Sequence, residues 1–253
     1  MKVTFLGTGT SQGVPVIGCR CEVCRSLDFR DKRLRTAVHL EVSDQSIIID
    51  SGPDFRQQVL AQGIDRLDAL VFTHQHKDHV AGMDDVRSFN FRQKKAMPIY
   101  ARAEVIDQLK QEFAYVFAKD KYPGVPQVDV NVIRNEPFTV EGVPFIPIEV
   151  LHYKLPVFGY RIHDFTYITD AKSITEEEKD KIRGTKVLVL NALQHREHIS
   201  HLTLAEALAW VEELQPERAY FTHISHGLGL HRDVSATLPA NVMLAYDGLR
   251  IEI

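Results

Sequence analysis

THQHKDH, residues 73–79, follows directly on the apolar run Ala69–Phe72, and its reading decides the rest of the chain. DALVFTH is apolar and β-branched until it stops abruptly in charge, the pattern of a buried strand that ends in a polar turn. His74, His76, Asp78 and His79 are four ligand-capable groups within six positions. Placing them at the end of a buried strand is costly unless something pairs with them, and a divalent cation does so. Alternate side chains of extended chain share a face, so His74 and His76 reach one ion, and the turn that follows swings Asp78 and His79 toward a second. A solvated polar turn explains any one of these residues. It does not explain all four together, after Thr73 and before VAGMDD.

Outward from this motif, KVTFLGTG, TAVHLEV and SIIIDSG are β-rich runs bounded by glycine or polar residues. The second half repeats the scheme near VNVI, VPFIPIEVL, FGYRIH, FTYITD, KVLVLNAL and RAYFTH. Helices are expected at PDFRQQVLAQG, which opens on Pro and closes on Gly, at AEVIDQLKQEFAYVF, at 175–182 and at 203–214. No solenoid-period repeat, low-complexity tract or long linker divides the chain. The expectation is one domain over residues 1–253, an α/β fold of two packed sheets flanked by helices.

Composition narrows the function classes. Hydrophobic residues make up 44% and charged residues 25% of 253, so the chain folds around a sizeable core. A formal net charge of −4 supplies no global basic field, which argues against a nucleic-acid partner. The opening MKVTFLGTGT reads as strand and turn, not as a signal peptide, and no run reaches about 18 uninterrupted apolar residues. No membrane partner is expected and the cytoplasm is the expected location.

Two ions need more ligands than one motif provides. His152 follows FIPIEVL, Asp170 follows FTYIT and His223 follows AYFT, each where a strand stops, which is where layered α/β folds build sites. A carboxylate bridges two ions, so Asp170 is the natural shared ligand, with His152 completing the first set and His223 the second. Two divalent ions less two carboxylates and one bridging hydroxide leave about one net positive charge, which favours an anionic substrate such as a phosphate. Water at such a centre has its pKa lowered toward about 7, so hydroxide is available without a side-chain base.

Cys19, Cys21 and Cys24 are all the cysteines of the chain and sit within GCRCEVC, residues 18–24. Three thiols this close do not form an ordinary stapling framework. A tetrahedral structural zinc takes four ligands, and His226, three residues after His223 in THISH, supplies the fourth. Inert small hydrophobes and an oxidisable thiol cluster are the alternatives.

THQHKDH, with a later His, Asp and His each closing a strand, resembles the metallo-β-lactamase superfamily of binuclear hydrolases, whose motif is HxHxDH. The resemblance runs from FLGTGTS at residue 5 to THISH at residue 226 and implies a four-layer αββα sandwich. The G-C-x-C-x-x-C loop after GTGTSQGVPVIG, with SHLTLAEAL and THISH, is similar to the PhnP-type phosphodiesterases. That similarity implies two catalytic metals, manganese or zinc, a structural zinc on Cys19, Cys21, Cys24 and His226, and a phosphate contact near His201. It also implies a small or cyclic phosphodiester as substrate.

His201 opens HLTLAEALAWVEEL, where Thr203 suits a helix cap. A partly protonated imidazole there stabilises phosphoryl charge or protonates the leaving alkoxide; a surface His in a first turn is the plain alternative, and His195 and His198 are weaker substitutes. DDVRSFNFRQKK, residues 84–95, offers Arg87, Arg92, Lys94 and Lys95 beside Phe89 and Phe91 and reads as a phosphate-binding surface or a solvated amphipathic helix. FAYVFAKDKYPGVP reads as an aromatic lip or plain core. His39 and His163 are expected to be hydrogen-bonded strand residues and His231 is not compelled into the cleft, while Asp50, ending IIID, orients a metal-bound His.

The expected function is a metal-dependent phosphodiesterase with a small-molecule substrate and an open question of homodimer assembly. Rivals are a nuclease of the tRNA 3′-end-processing type, a thioester or lactam hydrolase, and a metal-dependent binding or cofactor-handling protein.

Overall fold

The computed structural model describes residues Met1–Ile253. Ile47, Ile48 and Ile49 show how its layers arise: Ile47 and Ile49 enter one core and Ile48 another, as the two-residue period of a strand requires. They lie in β3 (Gln45–Ile49) of a first sheet that also holds β1 (Lys2–Gly7), β2 (Ala37–Val42), β4 (Ala69–Val71), β5 (Met97–Ala101) and β6 (Val128–Val132). The second sheet comprises β7 (Phe138–Val140), β8 (Val143–His152), β9 (Leu155–Ile162), β10 (Phe165–Tyr167), β11 (Ser173–Ile174), β12 (Val187–Asn191), β13 (Arg218–Thr222) and β14 (Val242–Leu244). β15 (Arg250–Glu252) returns to the edge of the first, giving the orders β15-β1-β2-β3-β4-β5-β6 and β11-β8-β9-β10-β12-β13-β14, with β7 beside β8.

Val187 and Val189 share the core of Ile47 and Ile49, so this core lies between the sheets. Leu188 and Leu190 face outward onto Ala207 and Val211 of α8 (Leu204–Leu214) and Ile182 of α7 (Glu176–Ile182). Ile48 and Leu70 face outward onto Phe55 of α2 (Phe55–Gln62), Val80 of α3 (Lys77–Val80), Phe89 of α4 (Arg87–Gln93) and Val105 of α5 (Ala103–Glu112). Three apolar layers separate four structural ones, which is the αββα sandwich. Three short helices complete the chain: α1 (Glu22–Arg25), α6 (Ala114–Phe117) and α9 (His231–Ser235). No helix is long and apolar enough to cross a membrane.

The helix expected from AEVIDQLKQEFAYVF is broken at Phe113, whose φ of −114° and ψ of 43° end α5 before α6 begins. MPIYA, which carried no expectation, is β5. It pairs in parallel with β4 and β6, and Pro98 within it removes the usual strand signal. Of residues 84–95, Arg87–Gln93 form the amphipathic helix α4, with Phe89 buried and Phe91 exposed; Arg92 and Lys95 are engaged by Asp65 and Asp68. Phe113 and Val116 are core, while Tyr115 is exposed and donates to Asp84. His39 is buried against the Ser46 hydroxyl, 2.8 Å away, whereas His163 lies exposed in the turn after β9 rather than within a strand.

Strands β3 to β6 run parallel, as do β10, β12, β13 and β14. Their C-terminal ends deliver Asp50, His74, Asp170 and His223 to one edge of the sandwich, where α/β sheets place ligands. α8 starts beside this edge. Its cap, Thr203, accepts from Glu206 N at 3.2 Å while Glu206 Oε2 accepts from Thr203 N at 2.8 Å, a reciprocal box that satisfies two helix-end donors. Thr203→Ala is expected to cost about 1 kcal/mol, seen as a lower urea midpoint; an unchanged midpoint would show that the box adds nothing.

Candidate metal centre

Three residues at this edge, Asp50, Asp170 and His223, hold φ values of 68°, 56° and 52°. Side chains other than glycine rarely adopt the left-handed region, and when they do the surrounding packing must impose it. Each lies just beyond a strand, and the backbone reversal turns its side chain back over the sheet end. The motif turn is pressed against the Asp50 loop: Ser51 N donates to His79 O at 2.8 Å and Gly82 N to Ser51 O at 2.8 Å. A Cβ on Gly52 would fall 2.0 Å from Asp78 O, and one on Gly82 2.2 Å from Gly52 O, so only glycine fits either position.

Asp170 is the hub. Its Oδ1 lies 3.2 Å from His223 Nε2 and 3.4 Å from His79 Nε2, while Oδ2 faces His74 Nε2 at 3.8 Å. Donor atoms of Asp78, His79, Asp170 and His223 lie within 4.8 Å of one another, and so do those of His74, His76 and Asp170. His152 joins a third such group with Asp170 and His201, with its ring 5.1 Å from that of His76; it borders the first ion's set instead of completing it as tightly as expected.

Hydrogen bonds settle which nitrogen each ring presents. Asp50 Oδ2 accepts from His79 Nδ1 at 2.7 Å and from Thr73 Oγ1 at 2.8 Å, and Oδ1 from Thr73 N at 2.9 Å. The Thr73 hydroxyl then accepts from His74 Nδ1 at 3.0 Å, and Ser200 O from His152 Nδ1 at 2.9 Å. His74, His79 and His152 are thereby anchored through Nδ1, so that Nε2 is the nitrogen each turns to the cluster; Nε2 of His74 lies 3.0 Å from His76 Nδ1. Asn191 grips the Asp170 loop through both backbone atoms of Ala171, at 2.7 and 3.0 Å. Thr73, Ser200 and Asn191 carried no ligand signature, and only their place at strand and loop ends beside the motif residues pointed to them.

The electrostatics ask for a cation. Burial works to raise Asp170, but His223 and His79 outweigh it and hold the carboxyl well below its usual range; Asp78 is lowered against burial by His79 and His223. Burial likewise opposes a charge on His79, yet Asp78, Asp170 and Asp50 pull its pKa well above the ordinary value. A proton on His79 thus balances carboxylates that a metal would neutralise. His79 Nε2 and both nitrogens of His223 are buried without a hydrogen-bond partner, a rare condition for polar atoms that a ligated ion removes. The donor set fits two divalent ions. His201, at 8% exposure, is pushed down to about 3 by burial, so it is neutral at pH 7 and not partly protonated as the sequence suggested. His195 is exposed, His198 stands with its ring 5.0 Å from that of His201, and His231 is buried against Arg33 away from the cluster.

The cysteine loop reaches the same side of the molecule. Sγ of Cys19, Cys21 and Cys24 lie 3.3, 3.4 and 3.5 Å from His226 Nδ1. A tetrahedral zinc with bonds of about 2.3 Å to sulfur and 2.0 Å to nitrogen would hold such atoms about 3.5 Å apart. The backbone N–H of Cys24 brings the Cys21 thiol down to about 6, while burial raises Cys24 to about 11. These four residues fit a zinc.

A beta-lactamase superfamily domain model matches residues 45–224. The crystal structure of a diphosphatase from the PhnP family is 40% identical, with a TM-score of 0.93 over 100% of this chain and 97% of that one. A Porphyromonas gingivalis protein named octanoyltransferase is also 40% identical over 98% of this chain, but the chain spans only 51% of its length. Coenzyme PQQ synthesis protein B of Rhodopseudomonas palustris is 28% identical over 76% of this chain and 66% of its own.

Asp50→Ala is expected to weaken catalytic metal binding about 10- to 100-fold by freeing His79 and Thr73, measured by competition with a chelator; unchanged retention would remove Asp50 from the support of the site.

Proposed function

The chain belongs to the beta-lactamase superfamily and, within it, to the PhnP family, and on that premise we propose that this metal-dependent hydrolase cleaves a P–O bond of a small phosphodiester at a two-metal centre. One observation carries the reading: the two oxygens of a single buried carboxylate, Asp170, face two separate sets of imidazoles. Two divalent ions, manganese or zinc, would sit on His74, His76, His152 and Asp170 and on Asp78, His79, Asp170 and His223; they supply a water of lowered pKa and the positive charge a phosphoryl group meets. The chain's own part is positional. Asp50 and Ser200 keep the rings aimed, and Asp78 and Asp170 limit the net charge. His201, whose Nδ1 stands 3.9 Å from Asp170 Oδ2, borders the space a substrate enters and offers a hydrogen bond from its neutral ring to an anionic oxygen. A third ion, a structural zinc, is assigned to Cys19, Cys21, Cys24 and His226.

A second reading, cleavage of a substituted diphosphate, is favoured by the diphosphatase of the PhnP family. Each phosphorus of such a diphosphate carries one negative charge, like a diester, so the same centre accepts both and the leaving group separates them. An alkoxide leaves as the conjugate base of an acid with pKa on the order of 15, close to water, and requires a proton; a phosphate, with a pKa of about 6, does not. The octanoyltransferase activity is named for a relative about twice the length of the matched region, and the ligand cluster, not that name, supports the present reading.

After reconstitution with manganese or zinc, turnover of a 2′,3′-cyclic nucleotide or a dinucleoside diphosphate is expected, with none on lactams or thioesters. His201→Ala is expected to slow both the cyclic diester and the diphosphate about 10- to 100-fold, the loss of one hydrogen bond to a charged oxygen. Unchanged rates would remove His201 from contact with the substrate, and inertness toward every phosphorus ester would overturn the proposal. Replacing all three cysteines by Ser is expected to remove one zinc per chain and spare the other ions; full metal content in that variant would exclude the structural zinc.

A further inference from the structure

His223 lacks the support its neighbours have. His74, His79 and His152 each donate Nδ1–H to a fixed acceptor, and His76 is open to solvent. His223 is 1% exposed and neither ring nitrogen makes a hydrogen bond, although Nε2 faces Asp170 Oδ1 at 3.2 Å. Its ring stacks on that of His201, with centroids 4.7 Å apart, but no side chain holds Nδ1, so its aim depends on the backbone, which is left-handed with φ of 52°.

That backbone is held through the next residue. Ile224 N donates to Thr8 O at 2.9 Å and Ile224 O accepts from Thr10 N at 3.2 Å, so the stretch Thr8–Thr10 splints the residue after His223. Thr8 is fully buried, and its hydroxyl is locked from both sides: it donates to Asp247 Oδ1 at 2.7 Å and accepts from Arg33 Nη1 at 2.8 Å. Arg33, itself buried, also donates to Ala245 O at 2.6 Å and reaches His231 Nδ1 at 3.2 Å. Asp247 Oδ2 accepts from Leu34 N at 2.6 Å. A buried guanidinium and a half-buried carboxylate are costly to desolvate and are retained only with full hydrogen bonding, and here the shared hydroxyl of Thr8 is the point where they meet.

We propose that Thr8, Asp247 and Arg33 are positioning residues for the catalytic metal ligand His223, acting through the Thr8–Ile224 backbone bond. The proposal rests on the metal reading of His223. It explains why Arg33 and Asp247 meet at the Thr8 hydroxyl, far from the ligands in sequence: they fix the backbone beside the one buried imidazole whose Nδ1 no side chain holds.

The test is graded chelation of the metal-loaded holoprotein, with each ion counted by elemental analysis. Thr8→Val, which keeps shape and removes the hydroxyl, and Asp247→Asn are expected to release one ion of the catalytic pair at about one-tenth of the wild-type chelator concentration. The other catalytic ion and the thiolate-bound ion are retained, and kcat falls with KM unchanged. Thr8→Ser, which restores the hydroxyl, is expected to retain both catalytic ions as wild type does. Wild-type retention in both Thr8→Val and Asp247→Asn overturns the proposal, as does a loss in Thr8→Ser equal to that in Thr8→Val; if Thr8→Val does not melt cooperatively, Asp247→Asn decides. A wild-type protein that binds no catalytic pair would instead sink the metal centre itself.

Discussion

A carboxylate at 2% exposure, ringed by imidazoles and a second carboxylate, is the constraint on which the molecule turns. No lysine or arginine pairs with Asp170, only imidazoles. The surrounding geometry concentrates negative charge and unpaired nitrogen lone pairs at one point, and such an arrangement is stable in an apolar setting only around positive charge. The sandwich is organised to build that point. Parallel strands in both sheets end at one edge, left-handed residues fold their side chains back over it, and glycines at 52 and 82 let two loops touch.

The layers were legible because strand periodicity is local. The alternation of Ile47, Ile48 and Ile49, or of Val187 to Leu190, assigns alternate residues to opposite faces without knowledge of what covers them. β5 escaped because Pro98 is a poor strand residue whose place is set by its neighbours, and the three-residue β14 and β15 are too short to show a period. The break at Phe113 reflects packing of α6 beside α5, a tertiary contact.

The ligands were legible for a different reason. Four of them fall within six positions, and the others close apolar runs, so their types and positions signal together. The supports were not. Ser200 acts through a carbonyl, Asn191 through backbone pairing and Thr73 through one hydroxyl, and none of these leaves a compositional trace. The neutrality of His201 was equally hidden, because burial by residues distant in the chain sets its pKa.

The three-residue step from His223 to His226 places a hard-ligand set and a soft-ligand set on one short loop. Sulfur donors prefer polarisable ions such as copper(I) or cadmium over those that suit carboxylates. With the proposed zinc on the cysteines, an intruder of different radius would shift His226, and the strained residue three positions earlier has no hydrogen bond at Nδ1 to absorb the displacement. Poisoning by a thiophilic metal would thus reach hydrolysis from outside the reaction cleft, with the attacking machinery chemically untouched.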